Sequence, residues 1–370
     1  MTEPGELPMT WRDRLASLVF PVTAFALFRF IVHYMAHLGW TLDSTFRHAE
    51  WVDRSETLKL HPGFDALFRW DASYYVTMAR TGYTEPRHAN FFPAFPLEVR
   101  GLANLLSMDF HVASVVTASL NALVAVIAIY LLAEKLMGRD GARWTTIAFL
   151  AYPFAFFQVT AYPESLTVAA GATAVALEVY SRRKGSLLAI AISSLTRHTS
   201  VYGALAQTLY RWKNKDPWRT RLLPLVAWGV GLSIFCGFLY WRYGDPLMFI
   251  TVRKIYWGDA FVPVWELSLK VNPMMIPGAM FALLPIAGTV MLWRTPALRF
   301  LAVPAAMWLA LLLVTGGSGL GRHISSVWPA FLGLGFFFST RPTIGALVLG
   351  LCAPFGGLML FLHSHQWHVF

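Results

Sequence analysis

Long apolar runs are the feature that most constrains how this chain can fold. A helix needs about 20 apolar residues to cross the hydrocarbon core of a membrane. The 370-residue chain is 56% hydrophobic and 14% charged, whereas a soluble domain carries about 25% charged residues. The sequence therefore predicts an all-α, polytopic membrane protein with about nine to eleven membrane helices. The runs of this kind cover residues 15–38, 112–132, 144–160, 165–179, 222–240, 274–292, 301–312, 324–338 and 344–362.

Basic residues in the short stretches between these runs indicate the orientation of the chain. Lys and Arg concentrate in the cytoplasmic loops of membrane proteins, so the formal charge of +10 does not suggest a nucleic-acid partner. The basic clusters fall on one side only if the short apolar segments 187–195 and 201–209 enter and leave from that side. Neither segment is long enough to cross alone, so we expect either a re-entrant pair of short helices or two steeply broken helices, with Arg197 at the tip.

This orientation predicts one integral membrane domain over residues 1–370, located in the cell membrane (the inner membrane if the source is prokaryotic). Residues 1–14 form a cytoplasmic tail in this prediction. Residues 40–110 form a large first extracytoplasmic loop with interfacial helices, and residues 243–270 form a second. The functional face then points away from the cytoplasm.

The first extracytoplasmic loop contains a short predicted helix from about Trp70 to Arg80, which Gly82 ends. Trp and Tyr beside a membrane span favour a helix at the bilayer surface. Asp71 is then a carboxylate at the boundary of water and lipid, where an enzyme acting on a lipid headgroup needs a base. The helix pattern alone favours ordinary aromatic anchors and a helix-start charge over catalysis.

Other polar groups are expected on the same face. Three further loops reach it, and the Arg197 tip points toward it: these loops are Tyr162-Pro163-Glu164-Ser165, Tyr243-Gly244-Asp245-Pro246 and Gly321-Arg322-His323. In the first run, Arg29, His33 and His37 recur every four residues and share one helix face. Two interpretations of that stripe stay open: a lining of a lipid-binding site, or a structural contact to a carbonyl or a buried acid.

In their order along the chain, these motifs resemble the GPI mannosyltransferase II family of GT-C-type membrane glycosyltransferases. The resemblance begins with Arg69-Trp70-Asp71, Tyr75, Ala79 and Gly82-Tyr83. It continues through Asn90-Phe91-Phe92-Pro93-Ala94-Phe95-Pro96, Tyr162-Pro163-Glu164-Ser165, Leu195-Thr196-Arg197, Gly244-Asp245-Pro246-Leu247 and Arg322-His323 before Pro329. The compact chain suggests a prokaryotic relative, whose acceptor need not be a GPI precursor.

The resemblance implies an inverting transfer of mannose, or another hexose, from a polyprenyl-phosphate sugar to a lipid-linked or protein acceptor. Asp71 is the expected general base, because such an enzyme must remove the proton of an acceptor hydroxyl. The expected donor-phosphate contacts are Arg197, Arg322, His323 and Arg29, since a guanidinium fork suits phosphate. The expected sugar or acceptor contacts are Arg69, Trp70, Tyr75, Tyr162, Glu164 and Asp245.

Several alternatives stay open. The same fold could use another polyprenyl-phosphate hexose or pentose, or the chain could be a lipid flippase or transporter, although no internal repeat is evident. Arg253 and Lys254 either add to the basic environment or form an ordinary solvated pair, and Asp245 either contacts the sugar or acceptor or forms a turn. No metal site or cofactor is assigned, although Asp71 and Glu164 could hold a divalent cation if their loops meet. His363, His365 and His368 are interpreted as an exposed tail.

Overall fold

Helices make up all of the regular structure in residues 11–41, 62–257, 276–315 and 319–365, the ranges that the computed structural model describes. The first half of the chain forms α1 (Trp11–Thr41), α2 (Pro62–Asp65), α3 (Ala72–Thr81), α4 (Ala94–Leu106), α5 (Phe110–Leu150), α6 (Glu164–Val179), α7 (Arg183–Ser194) and α8 (Val201–Lys213). The second half forms α9 (Trp218–Arg221), α10 (Leu223–Tyr243), α11 (Met248–Trp257), α12 (Ile276–Phe281), α13 (Leu283–Arg294), α14 (Arg299–Thr315), α15 (Leu320–Ile324), α16 (Trp328–Thr340) and α17 (Pro342–Ser364). Short 3-10 helices cover Pro86–Asn90, Ala155–Gln158 and His198–Ser200.

Five segments in the described ranges are long and apolar enough to cross a membrane, and α14 and α16 are apolar but shorter. This confirms the prediction of an all-α integral membrane protein. The predicted runs that became α6, α7 and α8 form helices of 16, 12 and 13 residues. At about 1.5 Å per residue they are shorter than the hydrocarbon core. The five long segments are Leu15–Gly39, Phe110–Leu150, Trp218–Tyr243, Ile276–Arg294 and Pro342–Ser364.

The 41-residue α5 folds back on itself at Gly138, whose φ of 79° and ψ of 178° are not helical. Tyr130 and Arg143 lie on either side of this glycine, and both contact the ring of Phe20 in α1, at 6.1 and 5.8 Å from its centroid. In a straight helix, 13 residues would separate them by about 20 Å. The two predicted runs 112–132 and 144–160 are therefore the arms of one helical hairpin. The second arm ends at Leu150 instead of residue 160, because Pro153 cannot continue a helix.

The predicted helix near Asp71 is present as α3, one or two residues later than expected. Gly82 ends it with a φ of 78°, as its position predicted. The aromatic side of α3 packs on protein: the Tyr75 ring contacts Phe91 and Phe95, with centroids 5.1 and 5.5 Å away. Helix α3 therefore packs against α4 and the segment before it.

The prediction of an exposed histidine tail is wrong for His363 and His365, which are both buried, while His368 lies outside the described residues. Helix α17 continues through Ser364, and a side chain added at Gly39 of α1 would meet Ser364. The His363 ring packs against Phe156 and Phe157, with centroids 5.4 and 5.3 Å away. Close packing of α17 against α1 and the 155–158 segment removes this end of the chain from solvent.

Candidate active site

A fully buried carboxylate, that of Glu164, lies at the centre of the polar cluster. Its Oε1 accepts a 2.6 Å hydrogen bond from Nε of Arg322 and a 3.1 Å hydrogen bond from Nη1 of Arg197. Burial alone raises the pKa of Glu164, but Arg322 and Arg197 outweigh it and hold that pKa well below its usual range. Arg197 is therefore paired with Glu164, and Glu164 is ionised.

The same Arg322 reaches a second carboxylate. Its Nη1 lies 3.2 Å from Oδ2 of Asp71, and its guanidinium carbon lies 4.2 Å from the ring centroid of Tyr162. The side chain of Asp71 is 33% exposed, whereas that of Arg322 is 6% exposed. The cluster thus runs from a buried carboxylate, through a buried guanidinium, to a carboxylate that solvent can reach.

Three members of the cluster lie at a helix end or between helices, and the fourth lies in a very short helix. Asp71 precedes α3 and follows Trp70, which has a left-handed φ of 53°. Glu164 is the first residue of α6, where its charge also faces the positive end of the helix dipole. Arg322 lies in the five-residue α15, and Arg197 has an extended backbone before the 198–200 turn. Helix ends, connecting backbone and one short helix thus bring distant parts of the sequence together at the cluster.

Tyr162 and Arg69 hold the backbone segment that precedes Asp71. The Tyr162 hydroxyl donates a 2.6 Å hydrogen bond to the carbonyl oxygen of Arg69, two residues before Asp71. The Arg69 side chain is buried and donates to the carbonyl oxygens of Asp65, Phe68 and Ser364. These contacts fix the backbone that carries Asp71 to both α6 and the end of α17.

A basic cavity opens beside the cluster. His198 and Arg197 lie close to each other in it, and burial, followed by Arg197, lowers the pKa of His198 to about 4 and that of His323 to about 3. Both histidines are therefore neutral near pH 7, and the fixed positive charge comes from the two arginines. The cavity is lined by Arg197, His198, Thr199, Arg253 and His323, and on the α14 side by Trp308, Leu311, Leu312 and Thr315.

Counted over the described residues, Arg253 in α11 gives the site one surplus positive charge. Among the described residues no carboxylate pairs with Arg253, whereas Arg197 and Arg322 share Glu164 and Asp71. Burial, and to a smaller extent the positive charge of Arg197, lowers the pKa of Arg253. Because the ordinary pKa of arginine is very high, Arg253 stays charged at neutral pH. Sequence analysis gave Arg253 no special weight, because a single Arg on a short amphipathic helix carries no signal of its partners. The cavity is suited to an anion.

Two predicted site residues lie elsewhere. Arg29 donates a 3.0 Å hydrogen bond to Ser119 in α5, and its guanidinium carbon is 6.0 Å from the Phe64 ring. Asp245 accepts hydrogen bonds of 2.8 Å from the Leu247 amide and from the Thr251 hydroxyl, at the start of α11. Asp245 thus makes the turn that sequence analysis kept open as an alternative, whereas Arg29, within the described ranges, contacts a hydroxyl and an aromatic ring instead of a carbonyl or a buried acid.

The described residues contain no group of three or more His, Cys, Asp or Glu side chains that could hold a metal ion. The loops of Asp71 and Glu164 do meet, as the possible cation site required. Arg322 lies between the two carboxylates and bonds to both.

No protein-family model matches the chain. GPI mannosyltransferase 2 of Schizosaccharomyces pombe is 23% identical over 253 residues, which cover 60% of this chain and 52% of that protein. The chain thus spans about half the length of this curated relative.

Two solved structures share the fold. ArnT from Cupriavidus metallidurans bound to undecaprenyl phosphate has a TM-score of 0.58 at 16% identity, covering 88% of this chain and 62% of ArnT. AglB from Archaeoglobus fulgidus, an archaeal oligosaccharyltransferase in complex with an inhibitory peptide and a dolichol-phosphate, has a TM-score of 0.50 at 12% identity, covering 97% of this chain and 56% of AglB. The chain is an integral membrane protein with a GT-C-like fold and a distant homologue of GPI mannosyltransferase 2, which confirms the predicted resemblance.

Proposed function

We propose that this protein is a GT-C glycosyltransferase that moves a sugar, mannose in the first instance, from a polyprenyl-phosphate donor to a lipid-linked or protein acceptor. One observation carries the proposal: a solvent-accessible carboxylate, Asp71, is held by Arg322 beside a cavity with a surplus arginine charge. The carboxylate can accept the proton of an acceptor hydroxyl, and the positive charge can stabilise a phosphate anion.

The cavity suits the phosphate of the donor. Arg197 and Arg253 supply charge, and the buried Thr199 hydroxyl has no hydrogen-bond partner among the described residues, although it lines the cavity. As the bond between the sugar carbon and the phosphate oxygen breaks, the phosphate takes the electron pair and one more negative charge. Preorganised guanidinium groups stabilise that charge most strongly where water is largely excluded.

Asp71 is the general base in this proposal. Arg322 binds its Oδ2, and its Oδ1 has no hydrogen-bond partner among the residues described. The acceptor oxygen attacks the anomeric carbon from the side opposite the phosphate, its proton passes to Asp71, and the configuration at that carbon inverts. General-base help of this kind contributes about 10²–10⁴-fold to rate.

The sugar and the lipid come from different comparisons. Mannose is supported by the name of the Schizosaccharomyces pombe relative, and a polyprenyl phosphate by the ligands named for ArnT and AglB. The acceptor class is supported by the family resemblance, and an active site on the extracytoplasmic face by the basic loops at the opposite ends of the helices.

The proposal is tested with purified protein in nanodiscs and a panel of polyprenyl-phosphate donors carrying mannose, glucose or arabinose, each labelled in the sugar. We expect label to move to an added lipid extract or peptide pool, with polyprenyl-phosphate mannose the best donor. Faster transfer from another donor would correct the sugar and leave the class intact. In sealed proteoliposomes, movement of the intact donor across the bilayer without release of the sugar from phosphate would instead support a flippase.

A further inference from the structure

Arg322 makes an unusual pair of contacts, because one guanidinium group joins the two carboxylates of the site. Nε donates to Oε1 of Glu164 over 2.6 Å, and Nη1 donates to Oδ2 of Asp71 over 3.2 Å. Glu164 begins α6, Asp71 precedes α3 and Arg322 lies in α15, so this single side chain links three separate segments. A contact that only stabilised one helix junction would not need to span all three.

Two carboxylates brought together in this way are also the donor set that a divalent cation prefers. A magnesium or manganese ion at such a position would fix the base and screen its repulsion from a nearby phosphate. Here one oxygen of each carboxylate is already bonded to Arg322, and the described residues add no third His, Cys, Asp or Glu ligand. The guanidinium group of Arg322 therefore supplies a fixed positive charge that bonds to both carboxylates.

We propose that Arg322 is a built-in substitute for a divalent cation: it holds Asp71 for proton abstraction and makes sugar transfer independent of added metal. This rests on the proposed function. Arg322 acts as a positioning residue, since it fixes one oxygen of Asp71 and leaves the other for the acceptor hydroxyl. Guanidinium stays protonated throughout the physiological range and cannot be removed by a chelator, so the device works at any metal concentration.

The first test needs no mutation. Wild-type protein is incubated with EDTA and 1,10-phenanthroline, desalted, and assayed with and without Mg²⁺ or Mn²⁺. We expect less than about a twofold change in transfer, since a lost metal interaction of a few kcal/mol would change the rate by a factor of ten or more. Loss of transfer on chelation, with recovery on adding Mn²⁺, would overturn the inference while leaving the glycosyltransferase proposal standing.

A binding measurement separates the inference from the proposed function. Mn²⁺ is titrated into wild-type and Glu164→Gln protein and followed by electron paramagnetic resonance. We expect that wild-type protein has no saturable Mn²⁺ site that depends on Glu164, so the two proteins should give the same titration. A saturable Mn²⁺ site that disappears in Glu164→Gln would overturn the inference even if none of the donor sugars were transferred.

Chemical rescue tests whether a guanidinium group at this position supports transfer. In Arg322→Ala, transfer should fall by at least about a hundredfold. Added guanidinium at millimolar concentration should then raise the transfer rate of this variant by at least about tenfold, mainly through kcat. Asp71→Asn is the matched control, because guanidinium cannot restore a missing base. If Arg322→Ala does not fold, Arg322→Lys replaces it: one ammonium cannot reach both carboxylates with the same geometry, so kcat should fall at least about tenfold at an unchanged donor KM. Full activity in Arg322→Lys, or no rescue of a folded Arg322→Ala, would contradict the role.

Discussion

Replacing Glu164 by glutamine removes the charge that balances two guanidinium groups. The Glu164 side chain is fully buried, and the side chains of Arg322 and Arg197 are 6% and 18% exposed. Removing one partner of a buried ion pair costs about 3–5 kcal/mol, because the remaining charge is left uncompensated. The glutamine oxygen can still accept one hydrogen bond from Arg322, so we expect a loss near the lower end, about 3 kcal/mol.

The loss is measured as the shift in thermal unfolding of the purified protein in nanodiscs, with Glu98→Gln as the matched control. Glu98 is exposed and accepts one hydrogen bond, of 2.7 Å, from Asn121, so its substitution should change the free energy of unfolding by about 0.5 kcal/mol or less. Glu164→Gln should also reduce transfer, since Arg322 loses one of its two anchors. If both variants unfold at the wild-type temperature, the buried ion network contributes nothing and the electrostatic reasoning is refuted.

Three further predictions concern the cavity, the opposite end of α6 and the membrane orientation. Arg253→Gln should raise the donor KM by about 10–100-fold, because a hydrogen bond to a charged phosphate contributes about 1.5–3 kcal/mol. Lys254 is exposed, so the control Lys254→Gln should leave the donor KM unchanged. Equal KM values in the two variants would remove Arg253 from the phosphate site. Glu178→Gln should lower the unfolding temperature but leave transfer per folded molecule intact. Glu178 binds Arg211 over 2.7–2.8 Å at the end of α6 that is remote from Glu164. A selective loss of kcat would contradict the view that this ion pair only stabilises the fold. In a cysteine-free background, an impermeant thiol reagent applied to intact cells should label Thr77→Cys and spare Lys213→Cys, and the reverse pattern would invert the predicted topology.

Much of the fold follows from the sequence because lipid imposes strong rules on it. A run of about 20 apolar residues has few alternatives to a helix, and Pro153 and Gly82 mark helix ends by their own backbone limits. The reversal at Gly138 is less visible, since glycine is also common inside membrane helices. Only the contacts of Tyr130 and Arg143 with one ring show that α5 is a hairpin.

The candidate site was predictable in part. A charge such as Arg197 between apolar segments needs a partner, and Glu164 was the acid expected on the same face. Whether Arg322 would bind Asp71, Glu164 or a phosphate depends on how α3, α6 and α15 meet, which no local pattern specifies. The placement of Arg253 in the cavity and the burial of His363 likewise depend on packing between segments distant in sequence.

The most direct test of the account is transfer by Asp71→Asn, measured beside binding of the labelled donor. Asparagine keeps the shape of aspartate but cannot take a proton, so we expect donor binding within about twofold of wild type and transfer reduced at least about a hundredfold. Asp245→Asn is the matched control, since Asp245 forms the turn before α11 and asparagine forms the same kind of turn, so it should keep wild-type transfer. Wild-type turnover in folded Asp71→Asn would contradict the assignment of Asp71 as the base.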